Sequence, residues 1–325
     1  MLILFINHKR QQCGVYQYGL RLYTILKCME NVQHEYVEID CYAEYTELLT
    51  KHKNVSAIIY NYHFSTMNWL NSQVIQRNVR NIFIPHDSQV DFADITIEID
   101  PTRANQINKY TIQRPIFENI SSMLVNYIPS TDLIKQFIEL KKDDYYTFGS
   151  FGFGFYNKGF DKVVKLVNDQ YDKAIIKLVI PTAHFGGPYY DNMRSDILNR
   201  CQSFVSKPNI HIVVSFEFFT NNDLLYFLNS NTANLFMYDK CENRSISSVI
   251  DYAISVNTPI GISDSLMFQH IYNDDICLYN VSIDECIRNN SKFRDNIEYM
   301  QHFDNTKLID TFLQVYNDNI SPLNI

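Results

Sequence analysis

Gly149-Ser150-Phe151-Gly152-Phe153-Gly154-Phe155-Tyr156-Asn157-Lys158-Gly159-Phe160-Asp161-Lys162-Val163-Val164 reads as a strand that breaks into a glycine turn and restarts as a helix. Residues 145–153 are an apolar, aromatic run of strand type, and from residue 159 the apolar side chains recur at helical spacing. Glycines at such a junction let the backbone come close to a ligand or to another strand. Lys158 stands at the helix mouth, where unpaired N–H groups and the positive end of the macrodipole favour an anion. The spacing is not that of a Walker loop, because Lys158 precedes Gly159 and no Ser or Thr follows it. Nor is it a full dinucleotide fingerprint, since Gly152-x-Gly154 lacks the third glycine. Alone, the stretch is a βα turn; the elements on either side give it meaning.

Downstream, strands and helices alternate. Strand 174–181 leads to a helix at about 190–205, and strand 210–215 to a helix opened by Asn221-Asn222-Asp223. Strand 233–238, helix 245–255 and strand 259–263 follow, then short helices around 265–270 and 283–288 and a longer one over 294–316. Upstream the same alternation begins at Leu2–Asn7, a continuous apolar run suited to a strand buried on both faces. Helices at 15–26, 42–51 and 67–76 separate strands at 36–39, 56–60 and 81–85, the last ending in His86-Asp87. A short strand at 95–99 and another at 121–127 precede a helix, capped by Pro129-Ser130-Thr131-Asp132, that runs to Leu140. Such alternation builds βαβ units on parallel sheets. The charged cluster Lys141-Lys142-Asp143-Asp144 is the linker candidate, giving domains at 1–140 and 141–325. The expected class is therefore α/β, with two Rossmann-like domains facing across a cleft and ligands beyond the carboxyl ends of the strands.

Composition narrows the function. A chain of 325 residues with 46% apolar and 20% charged residues buries a substantial core, and its 23 Tyr and 22 Phe against one Trp supply much of the packing. A formal net charge of −8 argues against nucleic acid or an anionic membrane as the main partner. Seven scattered cysteines with no CxxC pair support neither a zinc site nor a disulfide framework. Met1–Ile6 is too short for a signal h-region, and Lys9 and Arg10 follow rather than precede it. With no apolar run of 18 residues, the expectation is a cytoplasmic protein without a transmembrane segment.

Asn157-Lys158-Gly159-Phe160-Asp161, following a strand, resembles the KG-x-D element of the retaining GT-B glycosyltransferases, the glycosyltransferase 4-like group. The order beyond it matches as well: Val213-Val214-Ser215-Phe216-Glu217, Asn222-Asp223-Leu224-Leu225, the strand ending at Tyr238, then Glu242-Asn243-Arg244-Ser245-Ile246-Ser247-Ser248 and Thr258-Pro259-Ile260-Gly261. The resemblance covers roughly the second half. The first half matches through a glycine loop after the first strand and a strand ending in His-Asp.

The resemblance implies transfer of a sugar, with retention, from a UDP- or GDP-linked donor to a glycan, lipid or protein acceptor. No cofactor beyond that co-substrate and no metal is implied. Lys158 matches the lysine that grips the donor diphosphate. The arginine that usually accompanies it is absent, Phe153-Gly154 standing there, and Arg244 is the substitute second cation. Glu242 fits the first acid of the E-x7-E element. Eight residues on stands Ile250, so Asp251 is taken as the ribose carboxylate, although one residue rotates a helical side chain by about 100°. Ser247 and Ser248 would turn backbone N–H groups to the diphosphate, or simply cap a helix. Gly14 would let the first loop approach the donor, or serve a tight turn. His86 would contact donor sugar or acceptor, or only hydrogen-bond a neighbouring loop; His63 is a second candidate, and His270 packs locally. Phe216 and Glu217 fall where the group packs the nucleotide base. Together the catalytic set is His86, Lys158 and Glu242. Two rivals share the fold: a degenerate GT-B protein that only binds, favoured by the missing arginine and displaced acid, and an NDP-sugar epimerase.

Overall fold

The computed structural model describes residues 1–87, 90–103, 110–182, 187–241 and 246–320. The chain forms two compact units, Met1–Ile116 with Gln301–Ile325, and Phe117–Met300. This differs from the expected division at 140/141, and the packing explains why. In the second unit, the helix before the charged cluster buries Ile134, Phe137 and Ile138. The last helix of the chain belongs instead to the first unit.

In the first unit, β1 (Leu2–Asn7), α1 (Gly14–Leu26), β2 (Gln33–Glu38), α2 (Tyr42–Lys51), β3 (Ala57–Tyr62), β4 (Arg80–Pro85), β5 (Ile95–Glu98) and β6 (Tyr110–Thr111) give a six-stranded parallel sheet in the order β2-β1-β3-β4-β5-β6. Strand alternation splits its core between two faces. Ile3 and Phe5 face Leu22 and Leu26 of α1 together with Leu308, Phe312 and Val315 from the C-terminal helix. Leu4 and Ile6 face Tyr45 and Leu48 of α2 together with Met67 and Leu70. The expected helix over 67–76 is a series of turns.

The second unit opens with α3 (Ile120–Leu124) and α4 (Asp132–Glu139). The expected strand at 121–127 is thus a helical turn: Ile120 and Leu124, four residues apart, are buried, whereas Val125 and Ile128 are 76% and 79% exposed. β7 (Tyr146–Phe151), α5 (Phe160–Gln170), β8 (Ala174–Val179), α6 (Pro188–Ser203), β9 (Ile210–Ser215), α7 (Asn221–Asn229), β10 (Ala233–Phe236), α8 (Val249–Ser255) and β11 (Ile260–Ile262) form a five-stranded parallel sheet ordered β11-β10-β7-β8-β9. α5 buries Phe160, Val163, Val164 and Val167, one face at helical spacing. α9 (Ile283–Arg294) and α10 (Ile297–Met300) close this unit, and α11 (Asn305–Asn319) returns to the first. The single helix expected over 294–316 is interrupted, and Asp304 caps the restart by accepting from the amides of Thr306 and Lys307. Among the described residues no helix is long and apolar enough to cross a membrane.

Chain order fixes where each sheet can hold a ligand. In the second sheet β8 and β9 are added on one side of β7, then β10 and β11 on the other, so the order reverses between β7 and β10. Beyond the carboxyl ends of such a strand pair the connections diverge and leave a crevice. The corresponding reversal in the first sheet lies between β1 and β3.

Candidate active site

Lys158 lies at the reversal point of the second sheet. Its Nζ sits 4.0 Å from the ring centroid of Tyr238, which follows β10, so a cation is held over an aromatic face. Two glycines on the β7–α5 connection make this possible. Gly152 has φ of 151°, and a Cβ there would lie 3.4 Å from Tyr238 Oη and 3.8 Å from Lys158 Cδ. Gly159 has φ of 62°, and a Cβ would stand 1.9 Å from the Met237 carbonyl oxygen. The turn is thereby pressed against the end of β10, and the Asp239 amide donates to the Asn157 carbonyl at 2.9 Å. Lys162, one turn into α5, pairs with Asp239 at 2.6 Å. The sequence motif and the strand order thus converge on one place.

The other expected donor residues differ in how far they are open to a ligand. Glu242 and Arg244 lie outside the described residues. Ser247 is buried and its amide donates to the Met267 carbonyl at 2.9 Å, so that N–H is already committed. Ser248 is the N-cap residue of α8. Asp251, in the first turn of α8, has no exposed surface. Phe216 is 43% exposed just beyond β9, with Glu217 also exposed and its amide on Ser215 Oγ at 3.3 Å. His270 is buried within the second unit, in keeping with local packing.

A residue the sequence reading passed over is Arg194. It projects from α6 beside the glycine turn: a Cβ on Gly154 would lie 3.3 Å from Arg194 Cβ. Its Nη1 donates to Thr182 Oγ1 at 2.6 Å and its Nη2 to Asp191 at 3.1 Å, and its guanidinium lies 4.4 Å from the ring centroid of Phe216. A pocket opens here, lined by Gly154, Phe155, Pro181, Thr182, Tyr190, Asp191 and Arg194. The available signal was the spacing of Tyr190 and Arg194, four residues apart on one helix face, after a strand followed by Pro181-Thr182.

The first unit carries a polar network at its own reversal point. Asn61 Nδ2, at the end of β3, donates to Asn7 Oδ1 at 3.0 Å and to the Val15 carbonyl at 2.8 Å. Asn7 Nδ2 donates to the Tyr16 carbonyl and the Tyr36 hydroxyl, both at 3.0 Å. His86, beyond β4, is buried with Nε2 at 2.8 Å from Asn61 Oδ1 and its ring edge-on to Tyr18. Because Asn61 offers a carbonyl oxygen there, Nε2 carries the hydrogen and Nδ1 is the basic nitrogen. Burial, then the nearby Arg114 charge, pushes this imidazole well below its ordinary pKa, so it is neutral at physiological pH. Gly14 is the exposed first residue of α1, with open space where a Cβ would stand. His63 Nδ1 is engaged by the Ser65 hydroxyl at 2.8 Å. Among the described residues no group of three His, Cys, Asp or Glu is placed to hold a metal ion.

Two α/β units, each built on a parallel sheet, with the C-terminal helix belonging to the first, constitute the GT-B fold. Solved structures share it over nearly the whole chain. Anabaena HepE, crystallised with UDP and glucose, superposes with a TM-score of 0.66 at 10% identity, over 98% of this chain and all of that one. Sucrose-phosphate synthase of Thermosynechococcus elongatus gives 0.66 at 14% identity, over 98% of each chain. AviGT4, a glycosyltransferase involved in avilamycin A biosynthesis, gives 0.61 at 12% identity, over 99% of this chain and 98% of that one. No family model and no curated protein matches the sequence.

Proposed function

We propose that the protein is a glycosyltransferase that moves a sugar from a UDP- or GDP-linked donor to a glycan, lipid or protein acceptor, with retention and without a metal ion. The observation that carries this reading is Lys158, held over Tyr238 where the strand order of the second sheet reverses. It is supported by a fold shared with a structure holding UDP and glucose. In this reading the donor diphosphate lies against the Lys158 ammonium. Charge grows on that diphosphate as the bond to the anomeric carbon breaks, and a preorganised cation lowers the barrier. By the resemblance, Arg244 is the second cation, Glu242 the acid at the donor sugar and Asp251 the ribose carboxylate, the first two lying outside the described residues. The leaving phosphate takes the acceptor proton on the same face, which retains the anomeric configuration. His86, hydrogen-bonded to Asn61, is the residue that the resemblance assigns to the donor sugar or acceptor.

The test is binding of UDP-, GDP-, ADP- and CDP-sugars followed by thermal unfolding, for wild type and Lys158→Ala. Ligand at 100 times its Kd stabilises the fold by about 2.7 kcal/mol. Stabilisation by one nucleotide class, lost in Lys158→Ala and indifferent to EDTA, is the expected result, with an anomeric proton of unchanged configuration in the product. A folded protein that ignores every donor at millimolar concentration sinks the proposal. The buried Asp251 and the committed Ser247 amide favour a second reading, a protein that binds nucleotide without transferring. Tight binding with neither transfer nor donor hydrolysis would select it, and an epimerised donor recovered without acceptor would select an epimerase.

A further inference from the structure

Each sheet ends in two edge strands, and three of these edges are guarded. β6 is two residues long, and β2 carries Glu35 and Glu38. The outer side of β11 is taken up where the Ile262 amide donates to the Ile276 carbonyl at 3.0 Å and the Leu278 amide to the Ile262 carbonyl at 2.8 Å. Short, charged or covered edges keep a sheet from adding a further strand. β9 has none of these protections. Its six residues, Ile210-His211-Ile212-Val213-Val214-Ser215, include no Asp, Glu, Lys, Arg or Pro, and all but Ile210 are partly exposed. The carbonyls of Asn209 and Ser215 accept from Ala174 and Ile180, so the odd-numbered residues turn their polar backbone groups toward β8. Those of Ile212 and Val214 point away from the sheet, and among the described residues no hydrogen bond meets them. α4 packs against β9, and on its outer face Leu133 and Leu140, seven residues apart, stay 69% and 38% exposed. Lys142 holds its Nζ 2.8 Å from His211 Nε2, which puts a cation at one end of the strand. Glu217, past the other end, is exposed.

We infer that β9 pairs antiparallel with β9 of a second copy of this chain, about a two-fold axis at Val213, so that one sheet runs through both copies. In this register Ile212 faces the partner's Val214, and each such pair exchanges amide and carbonyl bonds through the groups that the monomer leaves unused. His211 faces the partner's Ser215, and no like charges are opposed. The partner's Glu217 becomes the diagonal neighbour of His211 on the same face, within reach of Lys142, and the symmetry makes this contact twice. An unrelated strand would meet the Lys142 cation with no answering acid, whereas a second copy brings one. The axis stands perpendicular to the sheet and keeps both α4 helices on one side of it, so their Leu133–Leu140 faces turn toward each other. Because each chain has one such edge, the assembly closes as a dimer.

Sedimentation of the full chain between about 1 and about 100 µM reads the oligomeric state. Wild type should reach about twice the 38.3 kDa of one chain at the upper end. Ile212→Lys combined with Val214→Lys sets lysine against lysine across the seam and should raise the dissociation constant at least about tenfold. Ile212→Lys combined with Val214→Glu sets lysine against glutamate in both pairs and should bring it back to within about threefold of wild type. Both positions are partly exposed in the single chain, so both variants should keep the wild-type circular dichroism. Hydrogen exchange on the wild type alone gives a second reading. The amides of Ile212 and Val214 should exchange freely in dilute protein and slow at least about tenfold as the dimer forms. A wild type that stays monomeric throughout, a dimer indifferent to the double lysine, equal loss in both charged variants, or amides that stay unprotected in the dimer would overturn the inference.

Discussion

His34 shows how a single side chain can carry a pH dependence the sequence does not announce. It lies on β2, buried, with Nε2 at 2.8 Å from the Tyr316 hydroxyl of α11, and burial lowers its pKa from 6.5 to about 4. The folded state therefore resists a proton that the unfolded chain accepts. Between pH 6.5 and about 4 the unfolded state binds more protons, so stability from this group is full above 6.5 and declines as pH falls. The limiting slope is about 1.4 kcal/mol per pH unit. Urea titrations at pH 7 and pH 5 should show a drop for wild type that is clearly smaller in His34→Gln. Equal drops in both would remove His34 from the account. His86 is displaced in the same direction, yet its place beyond β4 was legible, because a strand of Ile82-Phe83-Ile84-Pro85 ends there. Its bond to Asn61 was not legible, since it needs the β3–β4 pairing as well as the strand end.

Among the elements, α7 is held by a concentrated set of hydrogen bonds. Thr220 and Asp223 form a capping box, and the same carboxylate accepts from Tyr127 Oη at 2.9 Å, Ser130 N at 2.9 Å and Ser130 Oγ at 2.7 Å. Burial pushes this carboxyl upward, but donation from Thr220, Ser130 and Tyr127 outweighs it and holds the group below the ordinary value. Stability from Asp223 is accordingly present above the unfolded pKa and lost as pH falls through the folded one. Asp223→Ala should destabilise by about 2–3 kcal/mol, because it removes the capping box and the bonds from Tyr127 and Ser130 to a buried carboxylate. Thermal unfolding of the variant near neutral pH checks this, and an unchanged midpoint would contradict it. The capping signature at 220–223 could be read from sequence alone. Its second task, fastening the chain between α3 and α4, could not, because those residues lie far away in sequence.

At the scale of the molecule, the alternation of strands and helices was enough to give two parallel sheets, whereas the boundary between units was not. Lys141-Lys142-Asp143-Asp144 looked like a linker because it is charged, but it is a surface turn in which Asp144 has φ of 63°. The boundary runs through Pro115-Ile116-Phe117, where composition does not change. The final amphipathic helix announced a buried face without saying which sheet would cover it. Fragments test the observed division. Residues 117–300 should fold alone, with cooperative unfolding, and should keep the proposed donor site. Residues 1–140 should not, because Leu308, Phe312, Val315 and Tyr316, each no more than 2% exposed, are missing from the first core. At about 2 kcal/mol for each buried side chain the loss approaches the whole stability of an ordinary domain. Cooperative folding of 1–140 would overturn this division.

The return of α11 also sets an order of assembly on the ribosome. The sheet whose strands emerge first is the one whose last covering helix emerges near the end. Phe5, Leu22 and Ile59, which face that helix, must wait while all of Phe117–Met300 is translated, on the order of ten seconds or more at ordinary elongation rates. During that interval the younger unit can finish while the older one still shows an open apolar face. A chaperone that shields nascent apolar surface would therefore be expected to dwell on the first part of this chain after the second no longer needs it.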